Sequence, residues 1–195
     1  MNDSNKILKK TRKIKILSKN KITQNMLRIT FSHQDLFDFP DNQRGGYVKF
    51  LFKHKHTKAE LVRPYTIRDF RKKKLELDVD FAIHNEKDGY AANWANKAKV
   101  GDEIFISGPG QKKLVDFNCN WFLLIGDMSS LPAISINIEE LAENSKGYAV
   151  IEILSENDKQ VISKPENFDI YWVINSDPDK SSIKLLEKIK TLKWY

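Results

Sequence analysis

A single cysteine, Cys119, stands in the 195 residues. That excludes an internal disulfide framework, and the lone thiol is expected to be a small core residue with no chemical role. Long apolar runs are also missing, since nothing approaches the ~18 residues that a membrane-spanning helix needs. Met1-Asn2-Asp3-Ser4-Asn5-Lys6 lacks the apolar core of a secretion signal, so the expected compartment is cytoplasmic. Metal ligands are scarce. His54 and His56, in Lys53-His54-Lys55-His56, share a strand face, but nothing nearby in sequence adds further ligands, so no metal site is expected.

What is present describes a packed globular chain. Hydrophobic residues make up 41% and aromatics 11%, enough for one large domain or two small ones. The formal charge of +7 points to an anionic partner: nucleic acid, an acidic membrane surface or a small polyanion. Basic residues are scattered, however, and the one compact run, Arg71-Lys72-Lys73-Lys74, falls between two predicted strands as a solvated turn. The aromatics do not alternate with Lys and Arg as a base-stacking platform requires, so nucleic acid is not an expected partner.

After a basic leader, short alternating segments follow one another. Strands are expected at 13–17, 26–31, 47–52, 63–69, 75–81 and 104–107, with turns at 18–21, at the 53–56 tip and at Gly108-Pro109-Gly110. This spacing suggests a small antiparallel barrel. Between its last two strands, Gly89 is expected to open a short helix over Ala91 to Ala98. A helix start of that kind can receive an anion on its first backbone N–H groups.

From about residue 118 the pattern changes. Trp121-Phe122-Leu123-Leu124-Ile125 is apolar throughout, as a strand buried on both faces must be. Leu131, Ile134, Ile138 and Leu141 recur at helical spacing with Pro132 in the first turn. Two further apolar strands, at 148–154 and 170–174, and a helix after Asp177-Pro178 complete a strand–helix–strand–strand–helix order. The fold class expected is α+β with two domains: residues 1–117 an antiparallel Greek-key β-barrel, and residues 118–195 a C-terminally short α/β lobe with a parallel sheet.

The stretch Arg63-Pro64-Tyr65-Thr66-Ile67-Arg68 puts a cation, an aromatic plane and a hydroxyl within four residues, with Pro64 marking an edge a ligand can approach. Together with Leu77-Asp78-Val79-Asp80-Phe81-Ala82-Ile83-His84, Trp94-Ala95, Gly108-Pro109-Gly110 and Gly126-Asp127-Met128-Ser129-Ser130-Leu131-Pro132-Ala133-Ile134, it resembles the siderophore-interacting protein family. These are flavin-dependent ferric-siderophore reductases of the ferredoxin-reductase-like superfamily.

The resemblance implies FAD as cofactor, with residues 1–117 binding it and 118–195 resembling an NAD(P)H-binding domain. Tyr65 would lie against the isoalloxazine, Thr66 near its N5, and Arg63 on the pyrophosphate, as stacking, hydroxyl and guanidinium chemistry allow. Pro64 belongs to the same wall. His84, Gly89, Ala91, Ala92, Asn93 and Trp94 would hold the rest of FAD, with Asn93 or backbone amides replacing a hydroxyl that relatives carry after their Gly-Pro-Ala. Gly126 and Asp127 would floor the NAD(P)H site, while relatives continue past the last helix, where this chain reads Lys193-Trp194-Tyr195, into a further strand and helix.

The implied activity is reduction of an Fe(III)-siderophore to release Fe(II), with NAD(P)H or ferredoxin as donor. Lys49, Lys53 and Lys55 would face the anionic chelate. The alternatives are another flavin or ferredoxin-type reductase, and a non-catalytic basic binding module.

Overall fold

The computed structural model describes residues 10–53, 60–83, 89–177 and 183–194. Six strands form a closed barrel in the order β1-β2-β5-β4-β3-β6: β1 (Thr11–Thr23), β2 (Met26–Ser32), β3 (Tyr47–Lys53), β4 (Glu60–Arg71), β5 (Glu76–Ala82) and β6 (Glu103–Gly110). All of their pairings are antiparallel, and β2 lies beside β5 with β3 and β4 beyond it, a Greek-key order. β6 closes the barrel by pairing with both β1 and β3.

Alternation decides which side chains fill the interior. Ile14, Ile16, Ile29, Phe31, Val48, Phe50, Ile67, Leu77, Val79 and Phe81 are buried, and Ile29 and Phe31 stand opposite Val79 and Leu77 across the β2–β5 ladder. Phe50 packs among Phe31, Tyr65 and Phe81 with ring centroids 5.4 Å from each. Helix α1 (Tyr90–Lys97) adds Ala91, Ala95 and Trp94, whose indole stacks at 9° to Phe31.

The second sheet is parallel, in the order β7 (Trp121–Gly126), β8 (Lys146–Ile153), β9 (Phe168–Ile174). α2 (Leu131–Glu139) crosses from β7 to β8 and buries Leu131, Ile134, Ile136 and Ile138; α3 (Ile183–Lys190) follows β9.

Three local expectations are corrected. Gly108-Pro109-Gly110 is not a turn after the last barrel strand but the end of β6 itself, with Gly110 paired to Tyr47. Residues 18–21 are not a turn: β1 continues through them, with Ser18, Lys19 and Asn20 paired to Thr30, Ile29 and Arg28. Their polar composition reflects half-buried and exposed positions along the β1–β2 ladder, and the chain reverses only after Thr23. Cys119 is exposed in a turn closed by its N–H on the Asp116 carbonyl at 3.1 Å, so it is not a core residue. The Lys53-His54-Lys55-His56 tip lies outside the described residues from 54 onward, as does the Asp177-Pro178 helix start beyond 177.

Barrel and second lobe are joined by polar contacts as well as packing. Asp158, fully buried in a 3-10 turn after β8, accepts from Thr23 Oγ1 at 2.9 Å, from Asn25 N–H at 2.8 Å and from Asn25 Nδ2 at 2.8 Å. Asn137 of α2 accepts from the Val115 N–H at 2.8 Å and donates to the Lys113 carbonyl at 3.2 Å, fastening the helix to the connecting segment. Met26 of β2 is buried among second-lobe residues.

Burial raises the pKa of Asp158, but the Asn25, Thr23 and Ser155 hydrogen bonds outweigh it and hold the carboxyl below its usual value. A depressed carboxylate contributes stability that is present above its unfolded pKa and fades as pH falls through the folded one. Asp158→Asn is therefore expected to cost about 2–3 kcal/mol at pH 7. Urea titrations should show the gap from the parent protein narrowing below pH 4, and a gap constant down to pH 2 would contradict this account.

Candidate functional site

β4 is both a wall of the barrel and the rim of a cleft. Two cavities meet along Pro64-Tyr65-Thr66. The first, about 290 Å³, is lined by Arg63, Pro64, Tyr65 and Thr66 of β4, Asp80 and Ala82 of β5, Gly89, Ala91 and Ala92 at the start of α1, and Ser129 and Pro132 of the second lobe. The second, about 350 Å³, is lined by Gly45 to Tyr47, Lys49, the same Pro64 to Thr66, Lys113 and Ala133.

The Tyr65 ring is wedged beside Phe81, centroids 4.3 Å apart, and edge-on to Phe50. Burial pushes its phenol up to about 12, with Arg63 nearby pulling weakly the other way. The group stays neutral across physiological pH. Arg63 is exposed at the rim and gives one N–H to the Val62 carbonyl at 3.0 Å.

Gly89 is the N-cap of α1, and a Cβ added there would meet nothing within 4 Å, so the space beside the cap is open. Ala91 and Ala92 keep that side of the helix small. Backbone N–H groups of a first helical turn, an exposed guanidinium and an aromatic face around one cavity are the donor set that a dinucleotide with a pyrophosphate and a flat ring requires. FAD fits it.

The expected residues divide by location. Arg63, Pro64, Tyr65, Thr66, Gly89, Ala91 and Ala92 converge on the first cavity. Asn93 and Trp94 do not: they line a separate cavity with Tyr90, Lys97, Ala98 and Asp102, because Tyr90, Asn93, Trp94 and Lys97, spaced three and four apart, share one helix face and Ala91 and Ala92 lie on another. Lys49 lines the second cavity beside Tyr65, where Lys113 joins it. His84 and Lys55 lie outside the described residues, and Lys53 is described only as the end of β3, opposite Glu60.

Gly126 and Asp127 shape the wall rather than line it. A Cβ on Gly126 would sit 2.0 Å from Ser130 Oγ and 2.8 Å from Ile134 Cδ1, so only glycine lets α2 approach β7 there. The Asp127 carboxylate accepts from the N–H and hydroxyl of Ser129, at 3.0 and 2.7 Å, and from those of Ser130, both at 3.0 Å. Partial burial pushes its pKa up, and these bonds prevail and lower it. Asp127 thus fastens the loop whose Ser129 and Pro132 face the cavity.

Asp80, Ala82, Ser129, Pro132 and Lys113 carried no assigned role in the sequence. Asp80 had a usable signal, since an acid at an alternating position of one strand faces Arg28 directly across the ladder. Arg28 forks onto it at 2.6 and 2.8 Å.

With the cleft described, comparison with known proteins gives its kind. The siderophore-interacting FAD-binding domain model matches residues 15–62 and 56–113, and the siderophore-interacting protein model matches residues 119–195. The chain belongs to the siderophore-interacting protein family. It is 30% identical over 198 residues to the ferric vibriobactin reductase ViuB of Vibrio cholerae, covering 93% of this chain and 72% of that protein.

An Escherichia coli protein described as an NADPH-dependent ferric-chelate reductase is 28% identical over 105 residues, 52% of this chain and 41% of that one. The crystal structure of the siderophore-interacting protein SipS from Aeromonas hydrophila superposes with a TM-score of 0.82 at 27% identity, covering 96% of this chain and 76% of that one.

In this family member, Tyr65→Ala is expected to weaken FAD binding about tenfold, the loss of one stacked ring at ~1.4 kcal/mol. Titration of FAD fluorescence quenching measures it, and unchanged affinity would remove Tyr65 from the site. In the apoprotein's alkaline ultraviolet titration, Tyr65 should ionise after ordinary tyrosines, near pH 12. A neutral phenol favoured by the fold means stability lost as pH rises from about 10 toward that value.

Proposed function

We propose that the protein reduces Fe(III)-siderophores with bound FAD, using electrons from NAD(P)H, and so releases Fe(II). The observation that carries this reading is the single cleft in which the β4 wall, the start of α1 and the Ser129–Pro132 loop of the parallel lobe face one another. ViuB's description as a ferric vibriobactin reductase and the match to the FAD-binding domain support it.

When bound, FAD supplies the exchange between a two-electron hydride donor and one-electron acceptors, so that one NAD(P)H serves two ferric ions. The chain supplies placement. Tyr65 offers a rigid aromatic face, kept neutral by burial, and Thr66 a hydroxyl for a ring nitrogen that gains a proton. Arg63 and the Gly89–Ala92 turn hold phosphate charge, while Ser129 and Pro132 at the carboxyl end of β7 border the donor's approach, the place where parallel sheets receive ligands.

Lys49 and Lys113 surround the neighbouring cavity with positive charge suited to an anionic ferric chelate. Reduction weakens the chelate because Fe(II) attracts anionic oxygen ligands less than Fe(III) does. On this reading residues 1–117 bind FAD, residues 118–195 receive NAD(P)H, and the protein works in the cytoplasm. A ferredoxin in place of NAD(P)H is the variant that donor assays decide. No described helix is long and apolar enough to cross a membrane.

The basic-module alternative has little support from the charges. Arg12, Arg28, Arg44, Arg68 and Arg71 are each paired with carboxylates of the chain itself. Anaerobic mixing of the flavin-loaded protein with NADH or NADPH tests the proposal. The yellow colour should bleach and return, with Fe(II) released, on adding a ferric siderophore; flavin left oxidised by both donors and by reduced ferredoxin would refute it. Arg63→Ala should lower FAD affinity by about tenfold or more, through loss of a charge-assisted pair.

A further inference from the structure

Arg68 leaves the barrel at an irregular point. The β4–β5 ladder slips between Ile67 and Asp69, which makes Arg68 the extra residue of a bulge. Beside it, Ile67 anchors the Gly45–Gly46 loop through its N–H to Gly46 O at 2.9 Å and its carbonyl from Gly45 N at 3.0 Å. From this point the Arg68 guanidinium crosses to the second lobe and forks onto Glu139, Nη1 to Oε2 at 2.9 Å and Nη2 to Oε1 at 2.5 Å.

The two side chains are only 16% and 15% exposed. Glu139 is shared with Arg44, which also reaches Glu140 at 2.6 Å, and Arg68 Nε stands 3.9 Å from the cavity-lining carboxylate of Asp80.

Glu139 is the last residue of α2, and the same helix begins at Leu131-Pro132, where Pro132 lines the cavity. Nine helical residues make a rod about 12 Å long. Tying its far end to the residue two places after Thr66 therefore sets how far Ser129 and Pro132 stand from Tyr65 and Thr66.

We propose that Arg68 and Glu139 are positioning residues, an ionic latch between the lobes that fixes the width of the cleft and so the approach of a donor held on the second lobe. Neither touches the reacting groups. The latch's effect on electron delivery rests on the reductase reading; its effect on cleft width does not.

Nitroxide labels on the exposed Cys119 and on a Lys73→Cys barrel site report the distance between lobes in the FAD-loaded protein. The parent should give one narrow distribution, and Glu139→Gln one at least about twice as broad. In the same variant, flavin bleaching by NAD(P)H should slow by about tenfold or more. FAD affinity should stay within about threefold. Return of colour on a ferric chelate, starting from chemically reduced flavin, should be unchanged.

Arg68→Lys keeps the charge but not the fork. It should broaden the distribution as well, and it carries the test should Glu139→Gln fold poorly. Distributions as narrow as the parent's in both variants would overturn the latch. A parent protein bleached by neither NADH, NADPH nor reduced ferredoxin would overturn the reductase reading instead, leaving the distances to decide the latch.

Discussion

A guanidinium and a carboxylate, both mostly withdrawn from water, hold a strand of the barrel to a helix of the parallel lobe. Such a pair is costly to desolvate, and breaking it by removing one partner leaves an uncompensated charge. The arrangement around it limits that penalty by alternating signs: Arg28, Asp80, Arg68, Glu139 and Arg44 form a chain of opposite charges that runs from β2 past the cavity to Glu139 of α2 and returns to Arg44 ahead of β3. Because Asp80 and Arg68 flank the residues that wall the cleft, the charges that join the lobes also border the site.

This makes β4 the strand with the most constraints. Its inward residue Ile67 and the ring of Tyr65 are packed into the aromatic core, Pro64 and Thr66 face two cavities, and Arg68 crosses to the other lobe. Alternation puts Pro64, Thr66 and Arg68 on one face and Tyr65 and Ile67 on the other. The irregularity after Ile67 shifts the phase beyond it, so that Phe70 and not Asp69 packs against the core.

The lobes meet at further polar joints with different characters. Asp158 is fully buried and takes hydrogen bonds from Thr23 and Asn25 of the β1–β2 turn, whereas the Arg44–Glu140 pair lies nearer solvent. Asp127 shows the same economy within one loop, since its carboxylate organises Ser129 and Ser130 so that the serine and proline beside them form the cleft wall. Carboxylates in this protein serve mainly to place other residues. The positive surplus is left to lysines, two of which stand at the second cavity.

Sequence alone determined what depends on neighbours along the chain. Alternation at 75–81 foretold β5, the unbroken apolar run at 121–125 foretold β7, and Leu131, Ile134 and Ile138 foretold α2, because burial of one face imposes a period that can be read directly. The Arg63–Arg68 stretch was equally legible as a strand, and Gly89 as the opening of a short helix. Polar composition misled at 18–21, where the partly exposed end of a long strand and a turn use the same residues.

Only the tertiary structure decided which side chains meet. Arg68 and Glu139 are 71 residues apart and Asn25 and Asp158 are 133 apart, and no local pattern marks such partners. Ser129 and Pro132 became cleft residues, and Asn93 and Trp94 turned elsewhere, through the angle at which each helix packs. Periodicity fixes the face a residue occupies, but what that face meets depends on closing a barrel and docking a second sheet against it, where long-range packing and ion pairing set the result.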